Sequence, residues 1–144
     1  MPKLAANVSM MYPEVDFIER FSEAADDGFK AVEFLFPYEH SPETLARAMK
    51  EAGVENVLFN LPPGNWEAGE RGLAGLPGRE QAFREALDTA VEYARTLGCP
   101  RLHAMHGIPN EGQNAGECRD VYIENLRWAA RRVKSHGIDT SSSL

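Results

Sequence analysis

The chain has 144 residues, enough for one domain with a hydrophobic core. Fifteen basic and 22 acidic residues give a net charge of −7, which disfavours nucleic-acid and anionic-membrane partners because both reward clustered Lys and Arg. No apolar run approaches the ~20 residues of a membrane helix, and the N-terminus "MPKLAANVSMMYPE" is a poor signal peptide, so we expect a cytoplasmic protein. Cys99 and Cys118 lack zinc-site spacing and are expected to be free thiols.

Four helices are predicted, each from an apolar stripe at helical spacing that ends at a glycine. Ser41 is placed to cap the second helix, and Pro42 suits its first position. The four segments are "PEVDFIERFSEAADDG", "SPETLARAMKEAG", "REQAFREALDTAVEYARTLG" and "ECRDVYIENLRWAARRVKSHG".

A short strand-like run precedes each predicted helix. The runs are "KLAANVSM", "FKAVEFLF", "VENVLFN" and "CPRLHAM". This β-α-β-α-β-α-β-α alternation predicts an α/β fold in which a parallel sheet is connected by right-handed crossovers and covered by helices.

The end of the chain, "VKSHGIDTSSSL", departs from this pattern. The fourth helix–glycine junction is followed by "DTSSSL", whereas a buried parallel strand should be nearly continuous Val, Ile or Leu. We therefore expect no fifth strand after Ile138. Two interpretations remain open: a complete four-stranded domain with a polar tail at residues 139–144, or the first half of a larger fold.

The long segment "NLPPGNWEAGERGLAGLPG", residues 60–78, is the most informative loop. Functional sites of parallel α/β folds lie where strands lead into helices, and loops of this length are usually functional or disordered. Its mixture of Trp and charged residues favours function. Arg71 can clamp a substrate carboxylate with two hydrogen bonds. A surface salt bridge from Arg71 to Glu67 or Glu70 is an equally good interpretation.

Three polar side chains fall in or near predicted strands. His103 and His106 lie near the end of the fourth strand, where alternation places them on opposite faces and makes them a poor pair for one metal. His103 is interpreted as a hydrogen-bonded core histidine or, less favoured, as a ligand or proton carrier. Glu33 interrupts the apolar run "AVEFLF", so it must be paired or functional, and a structural or supporting partner is favoured over a catalytic base.

Motifs for nucleotide and hydrolase chemistry are missing from the sequence. Nothing matches GxGxxG, GxxxxGK[ST], HExxH or GxSxG, so a dinucleotide-binding or nucleotide-binding module is unsupported.

Several segments together resemble one enzyme family. "ANVSMMYPEVDFIERF", "GFKAVEFLFPYEHS", "VLFNLPPGNWEAGERGLAGLPGRE" and "ALDTAVEYARTLGCPRLHAMHG" are similar to the N-terminal half of hydroxypyruvate isomerases, which belong to the xylose-isomerase-like TIM barrels. The resemblance covers roughly residues 3–138 and implies the N-terminal (βα)4 half of a (β/α)8 barrel over residues 1–138, truncated after the fourth helix, with residues 139–144 as a polar tail outside the family.

The family reaction interconverts hydroxypyruvate and tartronate semialdehyde (2-hydroxy-3-oxopropanoate) by an enediolate, aldose–ketose-type isomerisation. The resemblance implies a small hydroxy-keto acid as substrate and a divalent metal, Mg²⁺ or Mn²⁺, in the full-length family. The family's catalytic Glu residues and metal ligands correspond to positions after the fourth helix. This chain by itself is therefore expected to hold no catalytic residue and no metal, to require no cofactor and to be inactive.

What the resemblance leaves in this chain is half of a substrate site. Arg71 is the best candidate to hold the substrate carboxylate. At residue 106 the family usually has a small residue, so His106 is expected to crowd the pocket or add a contact. The side chains that the resemblance places at or beside the pocket are Asn7, Asn60, Trp66, Glu70, Arg71 and His103.

Two alternatives remain open. A half-barrel has two open sheet edges and an exposed inner face, so it can self-associate or be completed by a second chain that carries the missing half. A non-enzymatic binding or scaffold domain is the other alternative, although Trp66 and Arg71 together argue against it. Metal-dependent DNA endonucleases share the superfamily, but the acidic composition disfavours that activity here.

Overall fold

The structure, a computed structural model, describes residues 2–142, with side chains described for residues 2–138. Strands and helices alternate, and all neighbouring strands pair in parallel in the order β1-β2-β3-β4-β5. The elements are β1 (Ala5–Asn7), a 3₁₀ turn (Phe17–Glu19) continuing into α1 (Arg20–Asp26), β2 (Ala31–Glu33), α2 (Pro42–Ala52), β3 (Glu55–Asn60), α3 (Glu80–Leu97), β4 (Arg101–Ala104), α4 (Ala115–Lys134) and β5 (Asp139–Ser142). The predicted α/β fold with a parallel sheet is confirmed.

The helix boundaries follow from local capping chemistry. The Ser41 hydroxyl accepts a hydrogen bond from the Thr44 N–H at 3.2 Å, and α2 ends where Gly53 adopts a left-handed conformation with φ of 74°. The side chain of Asn114 caps α4 by accepting from the Gly116 N–H at 2.7 Å. That cap explains why α4 begins before the segment that the sequence pattern predicted.

The core lies between the helices and one face of the sheet. Strand alternation sends Ala6, Val32, Phe59 and Leu102 toward the helices, where each is fully buried. Phe59 stacks on Phe34 with ring centroids 5.8 Å apart, which extends the aromatic packing along the sheet. This side of the sheet is called the helix-covered face below.

The expectation of no strand after Ile138 is wrong. The backbone of Asp139–Ser142 forms β5, paired in parallel with β4 so that Arg101 lies opposite Asp139 and His103 opposite Ser141. Parallel pairing uses backbone N–H and C=O groups, which polar residues supply as well as apolar ones. The expectation of continuous apolar residues concerns side chains and burial, and it does not exclude this backbone pairing.

Two further expectations concern membrane spans and cysteines. Within residues 2–142, none of the helices has the length and apolar character needed to cross a bilayer. Cys99 and Cys118 are both buried free thiols, as predicted. Burial raises the pKa of the Cys99 thiol to about 11, although a hydrogen bond with the Arg101 backbone opposes this shift. Cys99 is therefore protonated and unreactive near neutral pH.

Candidate functional site

A row of polar side chains occupies the sheet face opposite the helices, called the open face below. Asn7 lies opposite Glu33 in the register of β1 and β2, and Asn60 lies opposite His103 in the register of β3 and β4. All four lie toward the carboxyl ends of their strands, where parallel α/β folds place their ligands. The structure thus brings together three predicted site residues, Asn7, Asn60 and His103, and adds Glu33 to them.

Asn7 and Glu33 form the first half of this row. The Asn7 Nδ2 lies 3.5 Å from the Glu33 Oε1, a long hydrogen bond, while the Asn7 Oδ1 accepts from the Ser9 N–H at 3.1 Å. Glu33 therefore has the polar partner that its place in an apolar strand requires. This pairing agrees with its predicted structural or supporting role.

Asn60 and Met105 form the second half of the row. The Asn60 Nδ2 lies 3.5 Å from the Met105 sulfur, and the Asn60 carbonyl accepts a short hydrogen bond from the Tyr38 hydroxyl. Asn60 is nearly fully buried, so these contacts restrict its rotation. Met105 was not identified from the sequence, although strand alternation from His103 places it on the same face.

His103 does not belong to the core under the helices. Its neighbours Leu102 and Ala104 are buried on the helix-covered face, which leaves the half-buried imidazole on the open face. The core-histidine interpretation is therefore wrong in position. Burial lowers the pKa of His103, because the partly desolvated site disfavours the imidazolium. A neutral imidazole near physiological pH can accept or donate a proton at the open face.

His106 points away from the open face, and the expectation that it crowds the pocket is wrong. Its ring packs against Tyr122 of α4 with ring centroids 4.8 Å apart. It fills the space beside Gly75, where an added Cβ would lie 2.2 Å from the His106 Nε2. The predicted opposition of His103 and His106 across the strand is confirmed, and the extra bulk of His106 is accommodated because residue 75 has no side chain.

Arg71 stacks on Trp66 in the loop between β3 and α3, residues 61–79, called the β3–α3 loop below. The guanidinium carbon lies 3.5 Å from the Trp66 ring centroid, and the Nη1 donates to the carbonyls of Trp66 at 2.9 Å and Glu70 at 2.8 Å. Within residues 2–138, no carboxylate forms an ion pair with Arg71. The salt-bridge interpretation, to Glu67 or Glu70, is therefore wrong.

Glu70 pairs with Arg79 instead. The Arg79 Nη1 donates to the Glu70 Oε2 in a short contact, and its Nη2 lies 3.4 Å from the Glu70 Oε1. The Glu70 Oε1 also accepts from the Asn65 N–H at 2.9 Å. Chiefly the hydrogen bond from Arg79, and then that from Asn65, hold the pKa of Glu70 below its usual range. Glu70 is thus an anion whose oxygens are already occupied.

The β3–α3 loop is fastened to the end of β4. Residues Gly72 and His106 form an isolated antiparallel bridge, and the Gly75 N–H donates to the His106 carbonyl at 2.8 Å. An added Cβ at Gly72 would lie 2.4 Å from the Met105 carbonyl oxygen, so the close approach of the two segments requires glycine. From α4, the Asn125 Nδ2 donates to the Ala74 carbonyl at 2.9 Å. These contacts give a long loop a defined path.

Trp66 connects this loop to the neighbouring strand. Its ring makes an edge contact with Phe36, which follows β2, at a centroid distance of 5.2 Å. The Trp66 side of the loop therefore extends over the carboxyl end of the sheet toward β2. Trp66 remains 44% exposed, so its ring and the guanidinium above it are accessible to a small ligand.

A cleft of about 250 Å³ lies beside the β3–α3 loop. Glu70, Arg71 and Arg79 line one side of it, and Ile108, Pro109 and Gln113 from the loop after β4 line the other. A larger groove of about 710 Å³ runs between α3 and α4, near the Asp88–Arg132 ion pair at 3.1 Å. That groove involves the C-terminal parts of both helices, at the opposite end of the sheet from the carboxyl ends of the strands. The smaller cleft therefore has the better position for a site in this fold.

A divalent metal site needs several ligating side chains close together. Among the residues that the structure describes, no three His, Cys, Asp or Glu side chains cluster closely enough to hold a metal ion. The row consists of one carboxylate, two amides and one imidazole, with Glu33 already paired to Asn7. These residues do not by themselves fit the divalent metal that the family resemblance implies.

Besides Met105, three contributors to this region were missed by the sequence analysis. Arg79 contacts Glu70, nine positions away in the sequence, and Phe36 contacts Trp66, thirty positions away. Asn125 holds the loop from α4. The available signal was that Arg79 and Phe36 both lie in segments that carried the family resemblance, "LPGRE" and "GFKAVEFLFPYEHS", since long-range partners do not follow from local periodicity.

Comparison with known proteins decides the family. Residues 21–140 match the family described as "Xylose isomerase-like TIM barrel". The chain belongs to the xylose isomerase-like TIM barrel family. The parallel sheet and the alternating helices are the corresponding parts of such a barrel.

Curated relatives of this xylose isomerase-like chain are named isomerases. A 2-oxo-tetronate isomerase of Cupriavidus necator is 49% identical over 138 residues, covering 96% of this chain and 53% of the relative. The hydroxypyruvate isomerase of Escherichia coli is 41% identical over 138 residues, covering 96% of this chain and 54% of the relative. The chain therefore spans about half the length of the curated relatives it matches.

A solved structure shows the same relation. A protein from Brucella melitensis described as "AP endonuclease, family 2" is 50% identical, with a TM-score of 0.95, over 99% of this chain and 55% of the other. The fold is thus half of a TIM barrel, as predicted.

Proposed function

We propose that this chain is the substrate-binding first half of an isomerase barrel that converts small 2-keto acids, hydroxypyruvate or 2-oxo-tetronate, by aldose–ketose isomerisation. The names of relatives at 41% and 49% identity support this reaction class. The observation that carries the proposal is the Arg71 guanidinium, which is stacked on Trp66 and has no carboxylate partner within the described side chains. Such a group is suited to binding the carboxylate that both substrates share.

The proposed roles of the chain's own residues are binding and orientation. Arg71 holds the substrate carboxylate, and the apolar face of Trp66 excludes water from one side of it. Asn60 and Asn7 donate hydrogen bonds to substrate oxygens from the open face. The neutral imidazole of His103 accepts or donates a proton at the open face.

The isomerisation itself transfers a proton between adjacent carbons through an enediolate. It requires a base next to the reacting carbon and stabilisation of the enediolate oxygens, which a divalent metal supplies when it is bound. We propose that these groups come from the remaining length of the barrel and that residues 1–144 on their own do not turn over substrate. The alternatives in which a second chain completes the barrel, or in which the domain only binds ligands, make different predictions in the same experiment.

The test is an isomerase assay with hydroxypyruvate and 2-oxo-tetronate in the presence of Mg²⁺ or Mn²⁺. Three samples are compared: residues 1–144, residues 1–144 mixed with a separately expressed second half from the Cupriavidus necator relative, and the two halves fused. Activity of the fusion alone supports the proposed half-enzyme, and activity of the mixture supports completion by a second chain. Activity of residues 1–144 by themselves contradicts the proposed origin of the catalytic groups. An inactive fusion that is folded contradicts the isomerase function.

The role of Arg71 is tested in the fused barrel. Arg71→Met is expected to raise KM for both acids by about 10- to 100-fold, because a charge-assisted carboxylate contact contributes about 1.5–3 kcal/mol. Arg84→Met is the matched control, since Arg84 also stacks on a tryptophan, Trp128, with its guanidinium carbon 4.9 Å from the ring centroid, but lies on α3 outside the site. Equal effects of the two substitutions would contradict the carboxylate-binding role.

A further inference from the structure

We propose that Glu70 is a positioning residue, which closes the β3–α3 loop and thereby holds the Arg71 guanidinium over the Trp66 ring. The inference rests on the proposed function in one respect, that Arg71 is the group that binds the substrate carboxylate. It assigns to Glu70 an action through Arg71, in place of the direct substrate contact that the family resemblance suggested.

The Glu70 carboxylate first closes a tight turn within the loop. Its Oε1 accepts from the Asn65 N–H at 2.9 Å, and the Glu70 N–H donates back to the Asn65 carbonyl at 3.0 Å. The Asn65 side chain accepts from the Ala68 N–H at 3.1 Å, which fixes the residues between them. Trp66 lies inside this turn, so its carbonyl and ring are oriented by the same contacts.

The same carboxylate then fastens the turn to the start of α3. Arg79, the residue immediately before α3, donates from both terminal nitrogens to the Glu70 carboxylate. The Glu70 side chain is only 23% exposed, so the pair is partly shielded from water. A long helix packed against the core thus becomes the rigid support for a surface turn.

The position of the Arg71 guanidinium depends on the turn that Glu70 closes. The Arg71 Nη1 donates to the carbonyls of Trp66 and Glu70, at 2.9 and 2.8 Å, and both carbonyls belong to the turn that Glu70 closes. With the Nη1 bound in this way, the N–H groups on Nε and Nη2, which have no hydrogen-bond partner among the described residues, remain to bind a ligand. Fixing the guanidinium in advance lowers the entropy cost of binding a carboxylate.

Glu70 is unsuited to contact an acidic substrate itself. Both of its oxygens are already bound by Arg79, and one also by Asn65. Arg79 holds the pKa of Glu70 low, so the group stays anionic at neutral pH and would repel a substrate carboxylate. The experiment must therefore distinguish a direct effect of the Glu70 charge on the substrate from an effect that acts through the position of Arg71.

The experiment uses the full 144-residue chain and follows the Trp66 indole N–H and the Arg71 Nε–H by two-dimensional NMR without ligand. Glu70→Ala and Arg79→Met are expected to shift both resonances, because the turn opens and the cation–π contact loosens. Arg79→Lys, which keeps the ion pair, is expected to restore most of the wild-type spectrum. Glu67→Ala is the matched control, since Glu67 is an exposed carboxylate of the same loop that forms no ion pair within the described side chains. Trp66→Phe assigns the indole signal, and circular dichroism verifies that each variant is folded.

Titration with hydroxypyruvate forms the second part of the experiment. Glu70→Ala and Arg79→Met are expected to weaken binding at least about fivefold, corresponding to about 1 kcal/mol, whereas Glu67→Ala leaves it unchanged. Glu70→Ala spectra and affinities that match those of Glu67→Ala would overturn the positioning role. Tighter binding after Glu70→Ala would also overturn it, since that result indicates charge repulsion alone. If the wild-type chain shows no response to hydroxypyruvate, the carboxylate-binding role of Arg71 fails, and the ligand-free resonances still decide whether Glu70 positions Arg71.

Discussion

The two faces of the sheet are made by the same strands but serve different purposes. On the helix-covered face, Phe59 and Leu102 are completely buried in a continuous apolar core. One position along, Asn60 and His103 lie on the open face among polar partners. The helix-covered face gains stability from apolar area removed from water, whereas the open face holds polar groups that contribute little to stability. We therefore expect substitutions on the helix-covered face to lower mainly stability, and substitutions on the open face to lower mainly ligand binding.

The largest expected effect comes from removing an aromatic ring on the helix-covered face. Phe59→Ala should lower the free energy of unfolding by about 3–5 kcal/mol, because it removes buried apolar contacts and leaves a cavity. Its neighbour Leu58 is only half-buried on the other face, so Leu58→Ala should cost about 1 kcal/mol. Urea unfolding followed by circular dichroism measures both. Equal losses would contradict the division between the two faces.

A smaller loss is expected where the β3–α3 loop passes His106. Gly75→Ala should destabilise the fold by about 1–3 kcal/mol, since its Cβ would lie 2.2 Å from the His106 Nε2 and the ring is held by Tyr122. The double variant Gly75→Ala/His106→Ala should be more stable than Gly75→Ala alone, because the clash is removed. A double-mutant cycle from urea unfolding provides the measurement. Simple additivity of the two changes would show that the ring and residue 75 do not compete for space.

The Glu70–Arg79 pair should contribute a modest, pH-dependent stabilisation. Glu70→Gln should cost less than about 1 kcal/mol at neutral pH, because the pair is partly exposed. The pKa of Glu70 is lowered in the folded chain, so the unfolded chain takes up the proton first as the pH falls. The difference between wild type and Glu70→Gln should therefore be full above the ordinary carboxyl pKa of 4.5 and disappear at more acidic pH. Glu67→Gln is the control, and a difference that persists in acid would argue against the ion pair.

The smallest effect is expected at His103 on the open face. Burial lowers the pKa of this imidazole, so the unfolded chain binds its proton more tightly than the folded chain does. Stability should therefore be full above the ordinary histidine pKa of 6.5 and decrease as the pH falls below it. His103→Gln should remove this part of the pH dependence between about pH 7 and 5. Thermal unfolding across that range makes the comparison, and identical slopes for the two proteins would contradict the assigned burial.

Much of the fold was predictable because local chemistry determines it. Apolar stripes and terminal glycines located four helices, and Ser41 with Pro42 located the start of α2. The prediction for the end of the chain is wrong because a polar composition does not exclude a strand. The pairing of Asp139–Ser142 with β4 depends on backbone groups that are offered by an adjacent strand, and composition does not report them.

The candidate site was predictable where it depends on strand alternation. Asn7, Asn60 and His103 lie at strand ends, so period-two alternation and the family resemblance were sufficient to place them at one edge of the sheet. Their roles in binding remain predictions. The β3–α3 loop was recognised as important, but its internal contacts were not, since Arg71 has two carboxylates, Glu67 and Glu70, within a few residues and local sequence does not rank them.

The sequence by itself determined the α/β alternation and the parallel sheet, because these follow from short-range periodicity and capping. The residues at the carboxyl edge of the sheet were located with the help of the family resemblance that the sequence carries. Only the tertiary structure decided that Arg71 stacks on Trp66, that Glu70 pairs with Arg79, and that His106 turns toward α4. These contacts depend on the path of a long loop, which is fixed by close backbone approaches and by hydrogen bonds between residues far apart in the chain. Long-range geometry, and not residue type, therefore determines which charged groups remain available to a ligand.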